Sequence, residues 1–120
     1  MILTREQAIK EHRKMWLWIA EQYRNGSKEY TYLLKRRYVC DLGICLKNCC
    51  FCCEYSFQNN RIDCGKCPID FGRGEVSCER NRKSPYRKMI EQGFFLKMDN
   101  NYMADLAELV ANLPEREEIL

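Results

Sequence analysis

The sequence has few of the features that would assign it to a familiar class of protein. It contains one histidine, three prolines and six glycines in 120 residues. It has neither a Gly-rich phosphate-binding loop nor a Ser/His/Asp or Cys/His arrangement with a recognised spacing, so we expect no enzymatic activity. The longest apolar run, residues 15–20, is far too short to cross a bilayer. No apolar stretch typical of a signal peptide precedes Thr4, and we expect a cytoplasmic protein without a membrane segment.

The net charge of +3 is small, but the charges are unevenly distributed along the chain. Residues 1–39 carry nine Lys/Arg against four Asp/Glu, and residues 79–98 carry six against two. Residues 40–78 are near neutral, with four against five, and residues 99–120 carry one against six. Pairing between the basic and acidic sections can therefore neutralise much of the basic surface, and net charge alone does not indicate nucleic-acid binding.

Residues 1–39 have the pattern of a helical hairpin. Thr4 and Gln7 form a capping-box sequence that starts a first helix, and Asn25-Gly26 is a typical stop. The apolar face of this helix comprises Ala8, His12, Met15, Trp16, Ile19 and Tyr23. Ser27 is expected to cap a second helix over residues 28–38. Its stripe comprises Tyr30, Leu33, Leu34, Arg37 and Tyr38.

Two further helices are predicted over residues 79–113. Ser84-Pro85 starts a short helix that Gly93 is expected to end, because Pro suits the first helical position. Asp99 or Asn100 caps a last helix, which runs to about Leu113. Its apolar stripe comprises Tyr102, Met103, Leu106, Leu109, Val110 and Leu113. Pro114 stops this helix, and residues 114–120 are expected to be an acidic tail, mobile from Glu115 onward.

Residues 40–78 contain all nine cysteines and no lasting apolar periodicity, which predicts irregular backbone with short hairpins. Cys64 and Cys67 form one pair with two residues between the thiols. A second such pair is either Cys50 with Cys53 or Cys49 with Cys52. In a reducing compartment this spacing is typical of a tetrahedral zinc site with four thiolate ligands.

The remaining cysteines leave alternatives open. Cys78 can replace one of the four ligands, and Cys40 and Cys45 can join it in a second metal site. Otherwise the spare thiols are expected to be small buried apolar residues. A thioredoxin-like redox role for Cys64 and Cys67 would need a helix after the pair, and Pro68 disfavours one. His12, on the apolar face of the first helix, is expected to be a packed core residue.

Two basic groups flank the cysteine-rich section, and folding can bring them onto one face. They comprise Lys35, Arg36 and Arg37, and Arg80, Arg82, Lys83, Arg87 and Lys88. Together with nearby aromatic side chains they would form a groove suited to nucleic acid or to a partner. The simpler interpretation is a solvated face that pairs with the acidic tail.

Several blocks of the sequence resemble a group of small cysteine-rich proteins encoded by phages and prophages of Gram-positive bacteria. The blocks are residues 12–20 (HRKMWLWIA), 50–55 (CFCCEY), 64–70 (CGKCPID), Cys78 and 113–117 (LPERE). The resemblance favours Cys50, Cys53, Cys64 and Cys67 as the zinc ligands. The additional Cys40, Cys45 and Cys49 depart from the pattern, so the ligand register stays open.

The expected fold is therefore a small, mainly helical domain in which the first and last helices pack together around a zinc site with four cysteine ligands. The resemblance implies a phage or prophage genomic setting. Because small accessory proteins from such genomes often bind and disable a host enzyme, we expect a non-enzymatic protein that binds a host macromolecule in the host-cell cytoplasm, such as an inhibitor of a CRISPR nuclease. This step is an analogy with proteins of similar genomic origin. A nucleic-acid-binding regulator is the first alternative, and a thiol redox protein is the second.

Overall fold

A computed structural model of the chain describes residues 4–41, 51, 55, 57–58, 61–62, 67–69, 84–95 and 99–115. Within these residues the protein has four helices and two short strands. They are α1 (Arg5–Arg24), α2 (Thr31–Asp41), β1 (Phe57–Gln58), β2 (Arg61–Ile62), α3 (Pro85–Phe95) and α4 (Asn100–Ala111). None of the described helices is both long enough and apolar enough to cross a membrane.

Helix α1 begins and ends where the sequence predicts. The Thr4 Oγ1 accepts from the Gln7 backbone N–H at 3.1 Å, and the Gln7 Oε1 accepts from the Thr4 N–H at 2.9 Å. These two bonds satisfy backbone donors that a helix start would otherwise leave unpaired. Asn25 caps the far end, and Gly26 follows with φ of 94°, a conformation that costs glycine little. All six residues of the predicted apolar face are buried.

Helices α1 and α4 pack against each other in antiparallel orientation, which confirms that the first and last helices pack together in a small, mainly helical fold. Near the start of α1, the His12 Nε2 lies 3.2 Å from the Val110 carbonyl oxygen of α4. At the other end, the Asn100 side-chain amide donates to the carbonyls of Tyr23 at 2.8 Å and Ser27 at 2.7 Å. The prediction that His12 belongs to the core is confirmed, because its side chain is fully buried.

Helix α2 starts three residues later than predicted and ends at Asp41 rather than at residue 38. Instead of capping a helix, the Ser27 Oγ accepts from the Glu29 N–H at 3.3 Å, which makes a local turn. The first helical bond then runs from the Leu34 N–H to the Tyr30 carbonyl. The predicted stripe is wrong in part, because Tyr30 and Arg37 are exposed. The buried residues of this helix are Thr31, Leu34, Lys35 and Val39.

Helix α3 begins at Pro85 as predicted, with the Ser84 Oγ accepting from the Tyr86 N–H at 3.2 Å. The prediction that Gly93 ends this helix is wrong, since the helix continues to Phe95. A glycine inside a helix costs about 1 kcal/mol relative to alanine, which does not by itself end the helix.

Helix α4 is capped by Asp99, whose Oδ1 accepts from the Tyr102 N–H at 3.1 Å, and it ends at Ala111, two residues before the predicted Leu113. The predicted apolar stripe is wrong at Tyr102 and Leu109, which are exposed. Small side chains complete the buried face instead. The buried residues of α4 are Met103, Ala104, Leu106, Ala107, Val110 and Ala111.

The described part of the cysteine-rich section contains the expected short hairpin and packs against the helices. Strands β1 and β2 pair in antiparallel orientation, with Phe57 opposite Ile62. Ile69 is fully buried and forms an isolated antiparallel bridge with Glu115. Glu115 therefore belongs to the folded part of the chain, which corrects the prediction that the mobile tail starts there. Residues 116–120 lie outside the described residues.

Candidate functional site

Two of the nine cysteines lie within the described residues. Cys67 is partly buried and packs against the helical core, followed by the buried Pro68 and Ile69. Cys40 is exposed at the end of α2. The other proposed ligands and their alternatives lie outside the described residues. They are Cys45, Cys49, Cys50, Cys52, Cys53, Cys64 and Cys78.

Phe51 joins the first cysteine group to the core. Its side chain is fully buried, and its ring meets that of Tyr38 edge to face, with centroids 6.2 Å apart and planes at 86°. Phe51 stands between Cys50 and Cys52, so either register of the first pair begins beside this buried ring. Both cysteine groups are therefore adjacent in sequence to a residue of the same core, Phe51 in the first and Ile69 in the second.

The hairpin between the two cysteine groups limits how far apart they can lie. Because Phe57 pairs with Ile62, the chain enters and leaves the hairpin at the same end. Cys53 precedes Phe57 by four residues, and Cys64 follows Ile62 by two. A residue spans at most about 3.5 Å, so the two cysteines lie within about 14 Å and 7 Å of that end. This connection is compatible with four sulfurs converging on one ion.

The donor set has the chemistry that zinc prefers. Four thiolates at about 2.3 Å in a tetrahedron form a closed structural zinc site, and such a site leaves no open position for catalysis. Within the residues that the structure describes, no group of three or more His, Cys, Asp or Glu side chains can hold a metal. A zinc centre would therefore have to be completed by the cysteines outside them.

Lys35, which belongs to the first predicted basic group, is buried rather than displayed to solvent. Its side chain is 7% exposed, and its Nζ donates to the Tyr86 hydroxyl at 3.1 Å. The same Nζ lies 4.9 Å from the ring centroid of Tyr86 and 5.8 Å from that of Trp16. These cation–π contacts join α1, α2 and α3. Helices α2 and α3, which carry parts of the two basic groups, are therefore neighbours.

The remaining described members of the basic groups differ in their partners. Arg37 forms an ion pair with Glu29 at 2.5 Å, and its guanidinium lies 5.8 Å from the ring centroid of Trp18. Arg87 pairs with Glu91 at 3.2 Å. Arg36 and Lys88 are exposed. Arg80, Arg82 and Lys83 lie outside the described residues, so the predicted groove through these positions stays a prediction.

Trp18 packs against the hydrophobic core of the helices rather than projecting fully into solvent. It is partly buried, and its ring centroid lies 5.5 Å from that of Tyr38. Burial raises the pKa of Tyr38, and the nearby Glu11 carboxylate raises it further. The neutral phenol is therefore favoured at this point, where Trp18, Tyr38 and Phe51 connect the helices to the cysteine-rich section.

Two exposed features were missed by the sequence patterns. Tyr30 and Tyr32, at the start of α2, stack on each other with ring centroids 6.1 Å apart and planes at 10°. On α4, Tyr102 and Leu109 are both exposed and lie seven residues apart, on the same side of the helix. The first feature had a sequence signal, the spacing of two tyrosines around a helix start. The second has no such signal, because Tyr102 and Leu109 share the three-to-four-residue spacing of the buried residues of α4.

Comparison with known proteins identifies no relative: the chain matches no protein-family model, no curated protein and no solved structure.

Proposed function

We propose that this chain is a non-enzymatic, zinc-stabilised binding protein of phage type that acts by binding a host protein. Zinc held by Cys50, Cys53, Cys64 and Cys67 would order the cysteine-rich section. The burial of Phe51 and Ile69 supports this part of the proposal, because each cysteine group is adjacent to a residue of the helical core. A closed four-thiolate site has a structural role, so binding of the partner would depend on side chains at the protein surface.

The observation that carries the host-protein proposal is the exposed side of α4. Leu109 is 57% exposed and Tyr102 is 39% exposed, seven residues apart, with Asp105 between them. Tyrosines and large apolar side chains are the residues that contribute most at protein interfaces. Asp105 and the neighbouring Glu108 form ion pairs with Arg24 of α1 at 2.9 Å and 2.8 Å, so their charges are already partly neutralised within the chain. These features fit a partner surface with a shallow apolar recess that takes Leu109 and Tyr102.

The specific form of this proposal is inhibition of a host-defence enzyme such as a CRISPR nuclease. An inhibitor of this kind needs a folded surface and no catalytic groups. The phage resemblance of the sequence blocks motivates the choice of enzyme, and the α4 surface supplies the contact.

A pull-down from host lysate with native mass analysis tests the proposal. We expect the full-length protein to recover one protein partner in stoichiometric amount. Leu109→Arg should weaken this complex at least tenfold, because a charge would replace an apolar contact. Leu17→Arg is the matched control, since Leu17 is 50% exposed on α1 and lies outside the proposed surface.

Three results would contradict the proposal in different ways. Recovery of no stoichiometric protein partner would remove the host-protein function. If Leu17→Arg and Leu109→Arg weakened the complex equally, the exposed side of α4 would not be the surface that contacts the partner. A purified protein that contains no metal and has a reducible disulfide would favour the thiol redox alternative.

Nucleic-acid binding is the second candidate function, and the exposed stack of Tyr30 and Tyr32 favours it.

A further inference from the structure

The stacked tyrosines at the start of α2 form an aromatic surface that is open to solvent. Tyr30 is 42% exposed and Tyr32 is 48% exposed, although their rings lie nearly parallel to each other. In a core, such rings would be covered by other apolar side chains. Here the rings lie nearly parallel in solvent, so a further flat group can stack on the exposed ring of Tyr32.

An exposed cationic side chain lies near this aromatic surface. Arg36 follows Tyr32 by four residues on α2, so the two lie on the same side of the helix. Arg36 is exposed and has no ion-pair partner among the described residues. Next to Tyr30 along the chain is an open depression of about 520 Å³. Its lining comprises Gln22, Asn25, Gly26, Ser27, Lys28, Glu29 and Arg37.

We propose that Tyr30, Tyr32 and Arg36 bind single-stranded nucleic acid. An unpaired base would stack on the exposed tyrosine surface, and the Arg36 guanidinium would contact a phosphate of the same strand. Stacking on aromatic side chains requires a base whose flat face is free, and a duplex does not offer one along its length. Glu29, which precedes Tyr30, is neutralised by its ion pair with Arg37, and the exposed Lys28 and Arg36 add positive charge near the rings.

This site differs from the groove predicted from the sequence, which included Lys35. The Lys35 ammonium lies against Trp16 and Tyr86 and is not part of the exposed surface. The proposal is also independent of the zinc centre and of the α4 surface, because none of its residues belongs to either. If the chain binds no host protein, the single-strand proposal is unaffected. If it binds no single strand, the host-protein proposal is unaffected.

Fluorescence anisotropy with a labelled oligothymidylate tests the stacking. The full-length protein should bind the single strand at about 50 mM salt and bind a duplex of the same length more weakly. Tyr32→Ala should weaken single-strand binding about tenfold, within the range for loss of one base–aromatic stack. Tyr102→Ala, which removes an exposed tyrosine from α4, should change the affinity less than twofold. Tyr32→Trp should retain or strengthen binding, which separates loss of stacking from loss of folding.

The salt dependence of the same binding tests the phosphate contact. Arg36→Ala should reduce the slope of log K against log salt by about 0.7, the value for one phosphate contact on a single strand. Lys10→Ala, which removes an exposed cation from α1, should leave the slope unchanged. Tyr32→Ala should lower the affinity without changing the slope, because stacking releases no counterions.

The proposal is overturned by any of three results. They are absence of single-strand binding at about 50 mM salt, preference for the duplex, and equal effects of Tyr32→Ala and Tyr102→Ala. The melting temperature of each tyrosine variant, measured in parallel, should lie within a few degrees of that of the unsubstituted protein. Tyr32 and Tyr102 are both exposed, so their substitution should cost little stability.

Discussion

The helical part and the cysteine-rich section of this protein are organised by different means. In the helices, apolar residues recur every three or four positions, and α1 and α4 bury them against each other. The cysteine-rich section has no such period, and its described core residues are few. Among them, Phe51 and Ile69 are fully buried against the helices.

This difference shows what determines the ordered structure of each region. A periodic apolar stripe defines which face of a helix is buried, so α1 needs only a partner helix that covers this face in order to be stable. A section without a stripe must obtain its order from contacts with another region or from a metal ion. In this chain we expect both, with Phe51 and Ile69 providing the contacts and the cysteines providing the ligands.

The largest expected effect comes from removing a proposed zinc ligand. Cys67→Ser should abolish stoichiometric zinc binding and lower the free energy of unfolding by more than about 5 kcal/mol. Structural zinc contributes roughly 10–16 kcal/mol of apparent binding free energy in small metal domains, and a lost thiolate forfeits a substantial share of it. Elemental analysis and urea unfolding of the purified variant measure the two quantities.

Cys40→Ser is the control for this change, because Cys40 is exposed at the end of α2 and lies outside the leading ligand set. It should retain the zinc and the stability of the unsubstituted protein. Retention of zinc by Cys67→Ser, or its loss from Cys40→Ser, would show that the ligand set is different.

A smaller effect is expected from a change confined to the helical core. Trp16→Ala should cost about 3–5 kcal/mol of unfolding free energy, as is usual when a large buried aromatic is removed. Trp16 is 1% exposed and meets the Tyr86 ring edge to face at 5.4 Å. Its neighbour Leu17 is half exposed, so Leu17→Ala should change the free energy by at most about 0.5 kcal/mol in urea unfolding. Similar costs for the two variants would contradict the assigned buried face of α1.

The smallest expected effect is a pH dependence that arises between α1 and α2. Burial raises the pKa of Tyr23 above 10.0, a hydrogen bond with Thr31 lowers it, and the Glu29 carboxylate raises it. The unfolded phenol therefore loses its proton first, so this contribution to stability is complete below about pH 10 and is lost as the pH rises through the raised folded value.

Tyr23→Phe should remove this part of the pH dependence. Below pH 9 it should cost about 0.5–1.5 kcal/mol, because the Tyr23 hydroxyl bonds the Glu29 carbonyl at 3.0 Å and the Thr31 hydroxyl at 3.1 Å. Between pH 10 and 11 the variant should lose less further stability than the unsubstituted protein, as measured by urea unfolding at each pH. An identical decline in both proteins would show that Tyr23 does not cause it.

The parts of the fold that sequence predicted are those set by local chemistry. Thr4 and Gln7 form their capping box, Asp99 caps α4, and Gly26 follows the end of α1. The start of α2 was not predictable in this way, because Ser27 can serve either a helix cap or a turn. The tertiary position of the following residues decides between them.

The errors on the exposed surface have a common physical reason. Periodicity identifies the direction of a buried face but not its width, which depends on how many elements pack against the helix. On α4 the buried face includes Ala104 and Ala107 and leaves Leu109 in solvent. Likewise Lys35 would be assigned to the surface from its charge, and only the adjacent Trp16 and Tyr86 rings explain its burial.

Hydrogen exchange before and after chelation tests the central claim most directly. In protein whose zinc content has been measured at one ion per chain, we expect a strong chelator to increase exchange at Phe51 and Ile69 by about 100-fold or more, because loss of the ion would remove the local protection. Met15 and Met103, in the centre of α1 and α4, should keep much more of their protection. Absence of metal from the purified protein, or unchanged exchange at Phe51 and Ile69 after the metal is removed, would contradict the claim that zinc orders the cysteine-rich section.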